Sequence, residues 1–332
     1  MKADAIFEGG GVRGFAFVGA VSCMEDRGYE FQRLAGTSAG AIMAALLAAG
    51  YNSKELTMLA DTDLSRFLDK SIVGSVPLAG APLSLLLKKG LYRGEQIREK
   101  MRELLAAKGK TKFRDVMVEG GSRLKIIASD ITRRKIMILP DDLPQYGIDP
   151  MEFEIADAVR MSTALPLFYE PVILKYNKPV DAPHENIRRT RFHLCESYIV
   201  DGGVMSNFPV WIFDVEGTPR WPTFGFRLVD STESNCSRGG KGLISYVFDL
   251  FAAVTDEGQT AFMRDKDSVR TIFIPTLGIK TTDFDLSPLD AYRLYRSGYE
   301  SCKKFLGQWD FRDYVSRYGG GLRFAGSGRA RE

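Results

Sequence analysis

The chain has 332 residues, 45% of them hydrophobic and 26% charged, with a formal net charge of only +3. That length suits one large domain or two small ones, and the composition is that of a globular protein with a sizeable core. So balanced a charge argues against a nucleic-acid partner and is compatible with a mildly basic face against anionic lipid.

Residues 1–8 already read as a strand, so no secretory leader is expected. No apolar run approaches the ~20 residues of a membrane span. The four cysteines, Cys23, Cys195, Cys236 and Cys302, lack C-x-x-C spacing. They read as reduced thiols of a cytoplasmic protein, with no zinc site.

In chain order, residues 3–7 form a short apolar strand. Gly9-Gly10-Gly11-Val12-Arg13-Gly14 follows at once, then a helix over 15–27 that Gly28 stops. A second strand near 31–35 feeds the pentad Gly36-Thr37-Ser38-Ala39-Gly40, and an alanine-rich helix over 39–49 ends at Gly50. Ser53 caps a third helix running to residue 68. Alternating strand, turn and helix predicts a mostly parallel sheet covered by helices. Sites in such sheets lie beyond the carboxyl ends of the strands. The glycine loop and Ser38 should therefore share one edge of the sheet.

Residues 71–92 are apolar, broken by Pro77 and Pro82, with Lys88 and Lys89 near their end. A loop packed on the core and a lid touching lipid are both open readings. A charged helix over 94–108, strands over 124–129 and 135–139, and a short helix over 155–161 follow. Residues 176–191, with Pro179, Pro183, His184 and three arginines, read as an inserted surface loop. Strands over 198–200 and 223–228 come next, then a polar linker over 235–242. Long helices are expected over 243–263 and 288–306, around a strand at 271–274. No internal repeat is visible.

Ser38 is the first chemical candidate. A serine on a sharp strand-to-helix turn projects its hydroxyl away from the sheet, and small neighbours let the two backbone segments approach. The helix N-terminus behind it favours developing negative charge. Gly9-x-Gly11-x-x-Gly14 also fits a dinucleotide fingerprint. That reading wants an acid at the end of the second strand, where Gly36 and Ser38 stand instead. The loop N–H groups are better read as an oxyanion hole, each donor worth roughly 3 kcal/mol.

A serine nucleophile needs a base within hydrogen-bond reach. The chain has two histidines. His193 lies in the strand-like Arg191-Phe192-His193-Leu194-Cys195, and His184 in the Pro-flanked loop. In α/β-hydrolases the histidine comes last, after the acid, and nothing after His193 can serve. Asp201 is the better base. It ends the strand Tyr198-Ile199-Val200 and precedes Gly202-Gly203, which allow close approach. Partial desolvation would raise its basicity above that of a free aspartate.

These motifs together resemble the patatin-like phospholipases. The resemblance is carried by Glu8-Gly9-Gly10-Gly11-Val12-Arg13-Gly14, by Gly36-Thr37-Ser38-Ala39-Gly40, by Arg160-Met161-Ser162-Thr163-Ala164-Leu165-Pro166-Leu167-Phe168-Tyr169-Glu170-Pro171, and by Asp201-Gly202-Gly203-Val204-Met205-Ser206-Asn207-Phe208-Pro209. They occur in the family's order over about residues 5–210, which makes the joint match far more specific than any one motif.

The resemblance implies a three-layer α/β/α fold with a mostly parallel central sheet. It implies hydrolysis of lipid acyl esters, of the phospholipase A or lysophospholipase kind, through a Ser-Asp dyad and an acyl-enzyme. Ser38 would be the nucleophile and Asp201 the proton acceptor. The N–H groups of Gly10, Gly11 and Val12 would form the oxyanion hole. Gly9, Gly14, Gly36, Gly40, Gly202 and Gly203 would shape the loops, and Arg13 would steady the first loop or meet a phosphate head group. No cofactor and no metal are implied. The expected partner is a membrane phospholipid or another acyl-ester lipid, met by a cytoplasmic protein with peripheral membrane contact and without nucleic acid. Glu8 departs mildly from plant members, which usually carry Asp there. The hydrolase domain is expected over 1–315, with a flexible glycine- and arginine-rich tail over 316–332. Acyl transfer to an alcohol or lysolipid, dinucleotide binding and catalytically silent lipid binding are the alternatives. Head group, acyl chain and position on the glycerol are not legible.

Overall fold

The computed structural model describes residues 1–62, 89–119, 121–180, 191–230, 263–281, 283 and 286–318. Several expectations lie outside the described residues. These are most of the apolar stretch over 71–92, His184 with the centre of the polar loop, the linker over 235–242 with Cys236, nearly all of the helix over 243–263, and the tail beyond Tyr318.

The chain starts with β1 (Lys2–Phe7), α1 (Phe15–Asp26), β2 (Glu30–Thr37), α2 (Ala39–Ala48) and α3 (Ser53–Thr62). β3 (Gly90–Tyr92) and α4 (Glu95–Ala107) follow. In α4 the buried residues Ile97, Met101, Leu104 and Leu105 repeat at helical spacing and form one apolar stripe. The short strands β4 (Met117–Val118) and β5 (Gly121–Ser122) form a small ladder, and β6 (Leu124–Asp130), β7 (Lys135–Leu139) and α5 (Ile155–Ser162) come next. β8 (Leu167–Tyr169) pairs with β3. The remaining elements are β9 (Val172–Val180), β10 (Arg191–Asp201), β11 (Thr223–Val229), α6 (Asp265–Val269), β12 (Thr271–Pro275), α7 (Pro288–Leu306) and α8 (Phe311–Tyr318).

The central sheet runs β12-β11-β1-β2-β6-β10-β9, with β7 also on β6. β12, β11, β1, β2 and β6 are mutually parallel. β7 and β10 add to β6 in antiparallel fashion, and β9 pairs antiparallel with β10. The fold is thus mixed α/β around a mostly parallel sheet. Strand alternation feeds two cores. Ala3, Ala5 and Phe7 of β1 and Leu34 of β2 face a large core shared with α1, α2, α4 and α5. Ile6 and Ala35 face the other way, against Phe208, Val210 and Phe213. Both sides of the sheet are therefore covered.

α1 and α7 pack at backbone contact distance. A methyl group on Gly298 would stand 1.8 Å from Ala16 O, and one on Gly19 would stand 1.8 Å from Tyr295 O. Among the described residues no helix is long and apolar enough to cross a membrane.

The structure corrects the reading of residues 176–191 as a surface loop. Both ends belong to a long antiparallel hairpin in which Arg191 pairs with Val180 and Ile199 with Val172. Its polar outer residues hid the strand pattern, since an exposed hairpin has no face to bury over most of its length.

Candidate active site

The sheet register determines where the site lies. β7 pairs with β6 over Ile126–Asp130 and occupies one edge of that strand. The other edge is divided. β2 covers Leu124 to Ile127, with Thr37 opposite Ile127, and β10 covers Ala128 to Asp130, with Asp201 opposite Ala128. β2 runs parallel to β6 and β10 antiparallel to it, so the two strands meet head to head. The carboxyl end of β2 delivers Ser38, and the carboxyl end of β10 delivers Asp201, at adjacent register positions. Sequence reasoning placed both residues beyond strand ends, but it did not foresee that they arrive from opposite directions.

Ser38 is half-buried between β2 and α2. Its φ of 53° and ψ of −121° place a non-glycine residue in a sparsely populated region. Such strain costs on the order of 1–3 kcal/mol and persists only when the surroundings over-determine it. The surroundings do so here. A methyl group on Gly36 would stand 2.1 Å from Gly40 O, and one on Gly40 would stand 2.3 Å from Phe7 O. Only hydrogen fits at either position, and the first turn of α2 sits directly on the ends of β1 and β2.

Asp201 is 2% exposed. Its N–H donates to Ala164 O at 2.9 Å. Its Oδ1 accepts from Gly203 N at 2.8 Å, whereas Oδ2 is buried and, the nearby Ser38 hydroxyl's pull on the carboxylate aside, has no hydrogen-bond partner among the described residues. Burial pushes its pKa up to about 6, against the opposing pull of the Ser38 hydroxyl and the Gly203 N–H. The strand register sets Ser38, one residue past Thr37, next to this carboxylate.

The glycine loop closes the third side. Gly9 N donates to Asn207 O and Asn207 Nδ2 donates to Gly9 O, both at 3.2 Å. A methyl group on Gly9 would lie 2.2 Å from Asn207 Oδ1 and 3.3 Å from Ser38 Cβ, and one on Gly14 would lie 3.2 Å from Ala39 Cβ. Gly11 has φ +55° and turns the chain into a 3-10 turn over Gly11–Gly14. Of the three N–H groups expected to point at an oxyanion, the Val12 N–H donates to Thr281 O at 3.3 Å. The Gly10 and Gly11 N–H groups have no acceptor among the described residues.

Arg13 is turned to support. Its Nη1 meets Asp230 Oδ1 at 3.1 Å and its Nε donates to Gly10 O at 3.4 Å. Thr276 Oγ1 also donates to Asp230 Oδ1, at 2.6 Å. Glu8 is 3% exposed. Its Oε2 accepts from Leu228 N at 2.7 Å and its Oε1 lies 3.4 Å from Arg227 Nε. These contacts bind the start of the glycine loop to β11. Gly202 packs under the junction, where a methyl group would stand 2.3 Å from Ile127 O. Ser129 Oγ donates to Gly202 O at 3.2 Å, and Thr37 Oγ1 donates to Ser206 O at 3.1 Å.

The structure therefore brings together Ser38, Asp201, Gly9, Gly10, Gly11 and Gly203, and it keeps His193 away. His193 is exposed, opposite Lys178. Eight residue steps of strand separate it from Asp201, roughly 26 Å at ~3.3 Å per residue. Sequence reasoning assigned no role to Ser162, Ala164, Asn207 or Thr281. The first three lie inside the quoted motifs. Thr281 carries no motif and its place could not be read from the sequence.

The model of the patatin-like phospholipase family matches residues 5–214. YqhO of Bacillus subtilis strain 168, an uncharacterized protein, is 35% identical over 313 residues, which cover 94% of this chain and all of that one. A probable lipid hydrolase, 463L of Invertebrate iridescent virus 6, is 25% identical over 208 residues, covering 62% of this chain and 61% of that one. Among solved structures, VipD of Legionella pneumophila superposes with a TM-score of 0.50 at 17% identity, over 92% of this chain and 66% of VipD, and shares the fold. The chain belongs to the patatin-like phospholipase family.

Proposed function

From that membership and this geometry, we propose that the protein is a lipid acyl hydrolase that works through a Ser38–Asp201 dyad. The observation that carries the reading is the meeting of three groups at one junction. A strained, half-buried serine stands beside a buried carboxylate, and the glycine loop that closes on Ser38 carries two N–H groups, those of Gly10 and Gly11, with no acceptor among the described residues.

The roles follow from what each group lacks. Gly203 holds Asp201 Oδ1, which leaves Oδ2 to take the Ser38 proton. Ser38 Oγ then attacks the ester carbonyl carbon. The resulting oxyanion lies against the Gly10 and Gly11 N–H groups, and Val12 can add a third only by releasing Thr281 O. Collapse breaks the bond to the alcohol, which takes the proton from Asp201, and leaves the acyl group on Ser38. Asp201 next accepts a proton from water as that water attacks the acyl-enzyme, and collapse frees the fatty acid and Ser38 Oγ, which takes the proton back from Asp201. A pKa near 6 suits the task, because the base is ionised at neutral pH yet more basic than a free aspartate. The substrate class is phospholipid or a related acyl-ester lipid, met at a membrane surface in the cytoplasm.

The test is labelling with a fluorophosphonate together with release of fatty acid from phospholipid vesicles. Wild type should be labelled and active, Ser38→Ala unlabelled, and both Ser38→Ala and Asp201→Asn slower by about a thousandfold or more. Equal esterase activity in all three proteins would overturn the dyad.

A further inference from the structure

Where the carboxyl ends of β2 and β10 meet, the hydrogen-bond ladder on that edge of β6 has a gap. The chain leaves β2 at Thr37 by the sharp turn at Ser38, so the Ser38 N–H cannot continue the ladder. The neighbouring Ile127 carbonyl faces the junction, where it limits Gly202 to a hydrogen. One donor and one acceptor are thus left at the point where the two strand ends meet.

Ser162 fills the gap. It is the last residue of α5 and is fully buried. Its Oγ accepts from Ser38 N at 2.9 Å and donates to Ile127 O at 2.5 Å. Two residues on, Ala164 O accepts the Asp201 N–H at 2.9 Å. The short segment 162–164 therefore grips the backbone of Ser38 on one side and of Asp201 on the other.

We infer that Ser162 is a positioning residue for the nucleophile, its hydroxyl acting as a one-atom patch that holds the Ser38 turn in register with Asp201. This rests on the dyad reading. A hydroxyl is needed because the position requires an acceptor and a donor on one short side chain. Methyl and thiol groups lack this pairing of strengths. The contact also commits the Ser38 N–H, which removes it from the oxyanion donors and leaves that work to the glycine loop. Without the hydroxyl, the strained φ of Ser38 loses its direct tether, and the turn can relax away from Asp201.

The experiment compares wild type, Ser162→Ala and Ser162→Thr by the second-order rate constant of fluorophosphonate labelling and by kcat and KM on one soluble acyl ester. Each rate is normalised to folded protein by circular dichroism well below the melting temperature. Ser162→Ala should label about 10- to 100-fold more slowly, with kcat reduced and KM little changed, since a small misplacement of a reacting group costs that much. Ser162→Thr, which keeps the hydroxyl, should recover most of the rate. A Ser162→Ala protein that labels at the wild-type rate overturns the inference and leaves the dyad standing, even if its melting temperature falls. Failure of Ser162→Thr to recover any rate while folded would also overturn it. An unlabelled wild type would overturn the dyad and this inference together.

Discussion

Asp201→Asn should make the protein more stable while silencing it. The carboxylate is 2% exposed, and burial raises its pKa from 3.8 to about 6. Folding at neutral pH therefore holds an ionised group where its charge is disfavoured relative to water. The difference is about 2.2 pKa units, and at ~1.36 kcal/mol per unit the ionised carboxylate costs about 3 kcal/mol. The sign follows from proton binding. Between the two pKa values the folded state binds the proton more tightly than the unfolded chain, so wild-type stability falls as pH rises through that window. The cost is complete above pH 6 and absent below pH 4. Asparagine keeps an acceptor for the Gly203 N–H and has no charge to desolvate, so the variant gains at most about 3 kcal/mol at pH 7. Urea denaturation of both proteins at pH 7 and at pH 4 measures this. The variant should be the more stable at pH 7, and the gap should close towards pH 4. A variant no more stable than wild type at pH 7, or a gap independent of pH, would refute the claim that a buried, ionised Asp201 strains the fold.

The same pKa sets the pH profile of the chemistry. Fluorophosphonate labelling should be flat above pH 7 and fall about tenfold per unit below pH 6, and a midpoint near 4 would show a solvated base. Glu8→Ala removes the carboxylate from the buried Arg227 and the acceptor from Leu228 N. Unfolding in urea should show a loss of roughly 3–5 kcal/mol, and a loss below about 1 kcal/mol would mean that the pair holds little. Gly298→Ala puts a methyl group 1.8 Å from Ala16 O and must push α7 off α1. Stability should drop by about 1–3 kcal/mol, with slower labelling because α1 follows directly from the glycine loop; an unchanged melting temperature would refute the close packing.

Much of the site can be read from the residues in order. The glycine runs, the serine between two glycines and the Asp-Gly-Gly step are local features, and each one's chemistry depends on a turn that its own neighbours determine. Gly36 and Gly40 must be glycine because the first turn of α2 lies on the ends of β1 and β2. A helix following a strand within a few residues announces that closeness. The strands of the parallel core are legible for the same reason, since burial on both faces leaves apolar runs in Ala3–Phe7 and Leu124–Ala128. The hairpin of β9 and β10 was legible only in pieces: residues 191–195 and 198–200 read as strand, whereas β9, which is made a strand by pairing more than by burial, did not.

The sequence by itself determined the candidates for the proposed chemistry: a serine between two glycines at a strand-to-helix turn, an aspartate before two glycines, and a glycine-rich loop after the first strand. Tertiary structure alone decided how they meet. Register along β6 sets Thr37 and Asp201 at adjacent positions on one edge and turns β10 against β2. Burial, which no local pattern reports, raises the basicity of Asp201. The contacts of Ser162 with Ser38 and of Thr281 with Val12 join residues more than a hundred positions apart. Such pairings come from packing of the whole chain, and the serine turn becomes a site only where those packed segments converge.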